Sequence, residues 1–138
     1  MAQKVRDIMS GPPVTVSPDT DLATAAKKMR DENVGAVLVT EGDDLTGVVT
    51  DRDLVVRGLA DEADPKSKLG GIVSHDTATI GPDDDLDKAV SLMREHAVRR
   101  LPVVENGRPV GIVSLGDLAL EKDERSALAD VSAAEPNR

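Results

Sequence analysis

GVVTDRDL occupies residues 47–54, and GIVSLGDL occupies residues 111–118. Both frames read glycine, two β-branched residues, a hydroxyl residue, two variable positions and then Asp-Leu. They lie 64 residues apart in a chain of 138. Working outward at that offset, residues 15–54 align with residues 79–118 without a gap. Thr15/Thr79, Pro18/Pro82, Asp21/Asp85, Leu22/Leu86, Ala25/Ala89, Met29/Met93, Arg30/Arg94, Val34/Val98, Val39/Val103, Gly47/Gly111 and Asp53/Asp117 are identical pairs. Ile8-Met9-Ser10 pairs with Ile72-Val73-Ser74 at the same offset. A self-match of this length marks a tandem duplication. It divides the chain into repeat 1 over residues 4–60, a polar linker over 61–67, repeat 2 over 68–124 and a tail over 125–138.

Each repeat reads as β-α-β-β-α. A short strand (14–16, 78–80) leads through Ser17-Pro18 or Gly81-Pro82 into a helix. Leu22, Ala25, Ala26 and Met29 recur at i, i+3, i+4 and i+7, and Leu86, Ala89, Val90 and Met93 repeat that stripe, the spacing of one helical face. Asp19 and Asp21, and Asp83 to Asp85, stand where a helix N-terminus favours negative charge. Two apolar runs then form a hairpin, residues 36–39 with 46–49 and 101–104 with 110–113. Asn106-Gly107 is a strong turn signal between the second pair. A second helix is expected straight after Thr50 and after Ser114. A unit of this size buries too little surface to be stable alone. The expected fold is therefore α+β, a tandem pair of repeats packed about a pseudo-two-fold axis with two equivalent clefts.

Composition removes several function classes. The formal charge of −9 argues against a nucleic-acid binder, which needs a basic footprint. The chain has no cysteine, so disulfides and thiolate metal ligands are excluded. No apolar run approaches the roughly 18 residues of a membrane span, and the N-terminus has no signal-peptide core. The expected location is cytoplasmic, with neither nucleic acid nor membrane as partner. Phe, Tyr and Trp are absent, so the core is aliphatic and any bound purine would lie between aliphatic side chains.

The hydroxyl and the carboxylate three residues later allow two readings. Ser or Thr at an N-cap with an acid at the third helical position makes a capping box that satisfies two backbone donors. The same strand-to-helix junction also offers N–H groups to a phosphate. A carboxylate beside it can accept from both hydroxyls of a ribose, and the preceding glycine would let a ligand approach the backbone. Local sequence does not separate the two.

The stretches VGAVLVTEGDDLTGVVTDRDL and VRRLPVVENGRPVGIVSLGDL resemble the two halves of a CBS-domain pair, the Bateman module, over about residues 4–122. The layout is similar to stand-alone members of the hypoxic response protein type. The resemblance implies regulation: an adenosine-containing ligand such as AMP, ADP, ATP, NADH or S-adenosylmethionine held between repeats, with no obligatory cofactor. It also implies a homodimer and a still unidentified protein partner. By that pattern one cleft joins Thr50 and Asp53 to Ala78, Arg99 and Arg100. The other joins Ser114 and Asp117 to Val14, Gly35 and Ala36. Gly35-Ala36 stands where repeat 2 has Arg99-Arg100, so the Thr50/Asp53 cleft is expected to hold phosphorylated ligands more tightly.

Enzyme readings find little support. G-x-x-x-x-G-K and G-x-G-x-x-G are both absent, and in GIVSLG the serine sits one position too late for a nucleophile elbow. His75 and His96 occupy non-equivalent places and read as solvent-facing. Asp83-Asp84-Asp85 lacks the alternating spacing of a calcium loop. The expectation is no enzyme and no metal. The alternative to a ligand sensor is a ligand-free structural or interaction protein of the stress-response type.

Overall fold

Leu22, Ala25 and Met29 lie on one face of helix α2 (Leu22–Glu32) and are all buried; Leu86, Ala89 and Met93 do the same on α4 (Leu86–His96). Ala26 is exposed and Val90 half-buried, so each apolar stripe is narrower than the sequence suggests. In this computed structural model the described residues are 3–75 and 77–122; the expected tail over 125–138 lies outside them. Both helices start on an aspartate. Asp21 accepts from the Thr24 N–H at 2.7 Å, and Asp85 from the Lys88 N–H at 3.0 Å, satisfying donors that the first turn leaves open. One residue earlier, the Gly81 N–H donates to Asp84 Oδ2 at 2.8 Å and holds that carboxyl below the ordinary carboxylate range.

Both helices end on a left-handed residue, Asn33 (φ 56°) and Ala97 (φ 53°). Asparagine tolerates that conformation, whereas alanine is penalised because its Cβ crowds the following carbonyl. Ala97→Gly is expected to stabilise the fold by about 1 kcal/mol. The check is a higher urea midpoint at an unchanged m-value.

The remaining elements are α1 (Val5–Ile8), β1 (Thr15–Val16), β2 (Ala36–Glu41) and β3 (Asp44–Thr50). After β3 comes a helical turn α3 (Asp51–Asp53), which continues as a π-helix over Leu54–Leu59. A 3₁₀ turn follows at Leu69–Gly71. The second repeat adds β4 (Arg100–Glu105), β5 (Arg108–Ser114) and α5 (Leu115–Lys122). Strands β1, β2 and β3 form one sheet in that order, and β4 pairs with β5. β1 runs parallel to β2, with Thr15 opposite Leu38; β2 runs antiparallel to β3, with Val37 opposite Val49 and a bulge after Val39. Asn106 (φ 55°) and Gly107 (φ 82°) give the two positive φ angles that a tight hairpin turn of this hand requires.

Two expectations are corrected. The strand expected over 78–80 is reduced to a single parallel bridge, Ile80 to Val103. The cause is Pro102. In the first repeat the Leu38 N–H donates to the Val14 carbonyl at 2.9 Å; proline at the matching position has no N–H to give to Ala78. The helix after Thr50 also winds differently from its counterpart, for the Ala60 N–H reaches back five residues to Val55 at 2.8 Å, whereas α5 is α-helical.

The described residues fall into two compact units. One comprises residues 13–77 with 107–109; the other comprises 3–12, 78–106 and 110–122. The first unit is built on Val16, Leu22, Ala25, Met29, Val37, Val39, Val49, Leu69, Ile72 and Val73. The second is built on Val5, Ile80, Leu86, Ala89, Met93, Leu101, Val103, Val113 and Leu118. The residues just before each lead-in strand thus serve the unit built on the other part of the duplication. Leu69 and Val5, equivalent at the 64-residue offset, are both fully buried, one in each core. Val48 bridges to Ser74 in the first unit, and Ile112 to Ser10 in the second.

Candidate functional site

Each second hairpin strand delivers its hydroxyl residue to the start of the following helix. In the first unit the Thr50 N–H donates to Asp53 Oδ2 at 2.9 Å, and the Asp53 N–H donates to Thr50 Oγ1 at 3.1 Å. In the second unit the Ser114 N–H donates to Asp117 Oδ2 at 2.9 Å, and the Asp117 N–H donates to Ser114 Oγ at 3.1 Å. Both junctions are therefore reciprocal capping boxes, and all four residues are half-buried. The boxes leave chemistry unspent. Each carboxylate commits Oδ2 to its cap while Oδ1 makes no hydrogen bond to a described residue, and each hydroxyl accepts a bond while its own proton is free to donate.

The backbone beside the junctions is also repeated. The Asp51 N–H donates to the Gly35 carbonyl at 2.9 Å, and the Leu115 N–H donates to the Arg99 carbonyl at 2.8 Å. The corner between the first helix and its hairpin therefore lies against the junction of the same unit. Thr50, Asp53, Gly35 and Ala36 come together in the first unit; Ser114, Asp117, Arg99 and Arg100 come together in the second. Ala36 is buried and opposite Thr50 in the β2–β3 register. Arg99 and Arg100 are exposed, and neither forms an ion pair with a described residue. Val14 packs against the first core and Ala78 against the second, both partly buried.

The glycine that opens each frame has a different use from the one expected. A Cβ on Gly47 would collide with Val73 Cγ1 and stand 2.9 Å from the Ser74 carbonyl oxygen. On Gly111 it would stand 2.8 Å from both Met9 Sδ and the Ser10 carbonyl oxygen. The space is filled by the chain's own bridging segment rather than left for a ligand.

Sequence reading passed over the two variable positions between hydroxyl and acid. In the first unit they are Asp51 and Arg52, and the Arg52 N–H donates to Asp51 Oδ1 at 2.8 Å. In the second they are Leu115 and Gly116. The signal was present in the frame itself, at the two of its eight positions where one copy carries charged residues and the other does not.

Both histidines are exposed; His75 Nδ1 lies 3.0 Å from the Thr46 carbonyl, which fixes that nitrogen as the protonated one. Among the described residues no group of three or more His, Asp or Glu side chains is arranged to hold a metal. No helix among them is long and apolar enough to cross a membrane.

The CBS-domain family model matches residues 5–59 and 69–123. The chain is 38% identical over 132 residues to the CBS domain-containing protein YhcV of Bacillus subtilis, covering 93% of this chain and 94% of that protein. It is 35% identical over 130 residues to hypoxic response protein 1 of Mycobacterium tuberculosis, covering 93% and 91%. A crystal structure of hypoxic response protein I, which holds two coordinated zinc ions, aligns with a TM-score of 0.76 at 34% identity over 86% of this chain and 98% of that one. The CBS-domain pair of protein MJ0100, solved with 5′-methylthioadenosine and S-adenosyl-L-methionine, aligns with a TM-score of 0.82 at 25% identity over 91% of this chain and 100% of that one.

Proposed function

This chain belongs to the CBS-domain family, and from that membership we propose that it is a regulatory protein that senses an adenosine-containing ligand at its two hydroxyl–carboxylate junctions. The observation that carries the reading is the unspent oxygen of Asp53 and of Asp117 beside a hydroxyl with a free proton. A ribose offers two donors to the carboxylate, and a 5′ substituent can accept from the hydroxyl. The ligand complex of the MJ0100 pair supports the same ligand class. The proposed contact residues are Thr50, Asp53, Val14, Gly35 and Ala36 with Ser114, Asp117, Ala78, Arg99 and Arg100. Adenine is held by aliphatic groups, since the chain has no aromatic residue. The protein works without catalytic turnover, in the cytoplasm, by passing ligand occupancy to a protein partner.

It also works as a homodimer. Val55, Val56 and Leu59 of the π-helix are exposed in the first unit. In the second, Val90, Met93, Val98, Leu115 and Leu118 line an apolar groove of 410 Å³. A two-fold pairing is the commonest way to cover such faces. Light scattering is expected to give twice the chain mass of 14.5 kDa; a monomer at micromolar concentration would remove the dimer.

The ligand reading is tested by thermal denaturation, followed with an extrinsic dye, in the presence of AMP, ADP, ATP, NADH or S-adenosylmethionine. A ligand at 100 times its dissociation constant stabilises the folded chain by about 2.7 kcal/mol, a clear upward shift. No shift with any of the five would leave the capping boxes as purely structural and favour a ligand-free interaction protein.

A further inference from the structure

Each unit carries a patch where its first helix runs beside its second, and the two patches differ in charge and in what they expose. In the second unit the patch is the apolar groove of 410 Å³, whose lining runs from buried Met93 and Leu118 to exposed Val98 and Leu115. Arg94 is the one charged group in that lining, and it forms no ion pair with a described residue. At the 64-residue offset the first unit has Met29, Leu54, Val34 and Asp51 in the four apolar places, and Arg30 in place of Arg94. There Arg30 is already neutralised, with Asp31 Oδ1 at 2.9 Å from its Nε. The second helix of this unit is π-wound over Leu54–Leu59, which sets Val55 and Leu59 close to one turn apart. Both are exposed, Leu59 at 72%. One patch is thus an apolar groove with an unpaired cation. The other holds aliphatic side chains out in solvent, and has an acid where the groove has Leu115.

We propose that in the homodimer these unlike patches pair: Val55 and Leu59 of one copy enter the groove in the second unit of its partner, and the partner returns the same contact. This rests on the homodimer reading above. Pairing groove with groove would bring two unpaired guanidiniums into one interface with no carboxylate in either lining, and like charges brought together cost affinity. Pairing the unlike patches fills each groove with aliphatic side chains, and well-packed, desolvated pockets carry most of an interface's binding energy. It also sets Arg94 against the patch that bears Asp51. A contact between unlike patches closes at two copies only when it is reciprocal.

The chain has no cysteine, so single cysteines report the pairing without background. Val55→Cys and Leu115→Cys alter exposed side chains and should leave the fold intact. Each variant alone, treated with a short bis-maleimide, is expected to run as a single chain on a denaturing gel. The two mixed, after exchange of copies in mild urea, should give a cross-linked dimer with one chain of each, told apart by a tag on one. Cross-linking of each variant with itself, or no product joining the two in the mixture, would overturn the inference while the homodimer stands. Arg94→Met gives a second measurement, since it keeps an apolar stem and removes the charge. By sedimentation equilibrium the dimer should loosen about fivefold; groove-to-groove pairing would instead relieve a repulsion and tighten it. A dissociation constant that is unchanged or smaller overturns the pairing. If the unaltered chain sediments as a monomer of 14.5 kDa, the homodimer reading itself falls, and this inference with it.

Discussion

Leu69→Ala is expected to destabilise the protein by about 2–5 kcal/mol, the cost of removing a large aliphatic side chain from a site that cannot collapse around the gap. Leu69 looks modest in sequence, for it follows the polar stretch 61–67 and precedes two glycines. In the structure it is fully buried and packs with Leu22, Met29, Val37 and Val49 in the core of the first unit. Its N–H also donates to the Thr20 carbonyl at 2.8 Å, fixing the 3₁₀ turn against the start of α2. The loss should appear as a lower urea midpoint, followed by circular dichroism because the chain has no aromatic fluorophore. A change below about 0.5 kcal/mol, the scale of a surface substitution, would show that the segment carrying Leu69 does not belong to that core.

Gly111→Ala should cost about 1–3 kcal/mol, the range of an overpacked interior. One methyl group would be driven against Met9 Sδ and the Ser10 carbonyl oxygen, each 2.8 Å from its position. The methionine can swing aside, but Ser10 cannot: its N–H donates to Ile112 at 2.8 Å and its carbonyl accepts from Ile112 at 2.9 Å. The strand must therefore part from its bridging segment. Gly42→Ala is the control. No atom lies within 4 Å of the added methyl there, so the only cost is its left-handed φ of 62°, about 1 kcal/mol. A loss below about 0.5 kcal/mol in Gly111→Ala, the scale of a surface substitution, would show that the bridging segment gives way without cost.

The duplicated frame made the β-α-β-β-α unit legible because both copies give the same periodicities, and a pattern seen twice is hard to assign to chance. Helix starts at Asp21 and Asp85 and the turn at Asn106-Gly107 followed from side-chain chemistry alone. Pro102 was equally visible, and its missing N–H could have foretold the lost strand at Ala78. The π-helical winding after Asp53 was not legible, because Leu54-Val55-Val56 fits either register and tertiary packing decides. Gly58 is buried there, and a Cβ on it would stand 3.3 Å from Leu22 Cδ1. Nor could sequence tell which unit each bridging segment completes. Ile8-Met9-Ser10 and Ile72-Val73-Ser74 are equivalent, so either could fill either place. At the junctions the hydroxyl and acid were found from spacing. Their bonding to each other, and the backbone bonds of Asp51 and Leu115 to the neighbouring corners, needed the folded backbone.

The division of labour by which Val5 completes one unit and Leu69 the other separates the unit of inheritance from the unit of folding. Cutting the gene at the linker would yield two peptides, each missing a wedge that its body expects from elsewhere: residues 1–64 lack Leu69, Ile72 and Val73, and residues 65–138 lack Val5. Yet each peptide carries a wedge of its own, left over from the body it no longer serves. A single ancestral copy would have had the same two parts, and could have closed on itself or traded wedges with a twin. Fusing two copies into one chain turned that exchange into a permanent arrangement, so that neither half can be lost or diverge freely without the other.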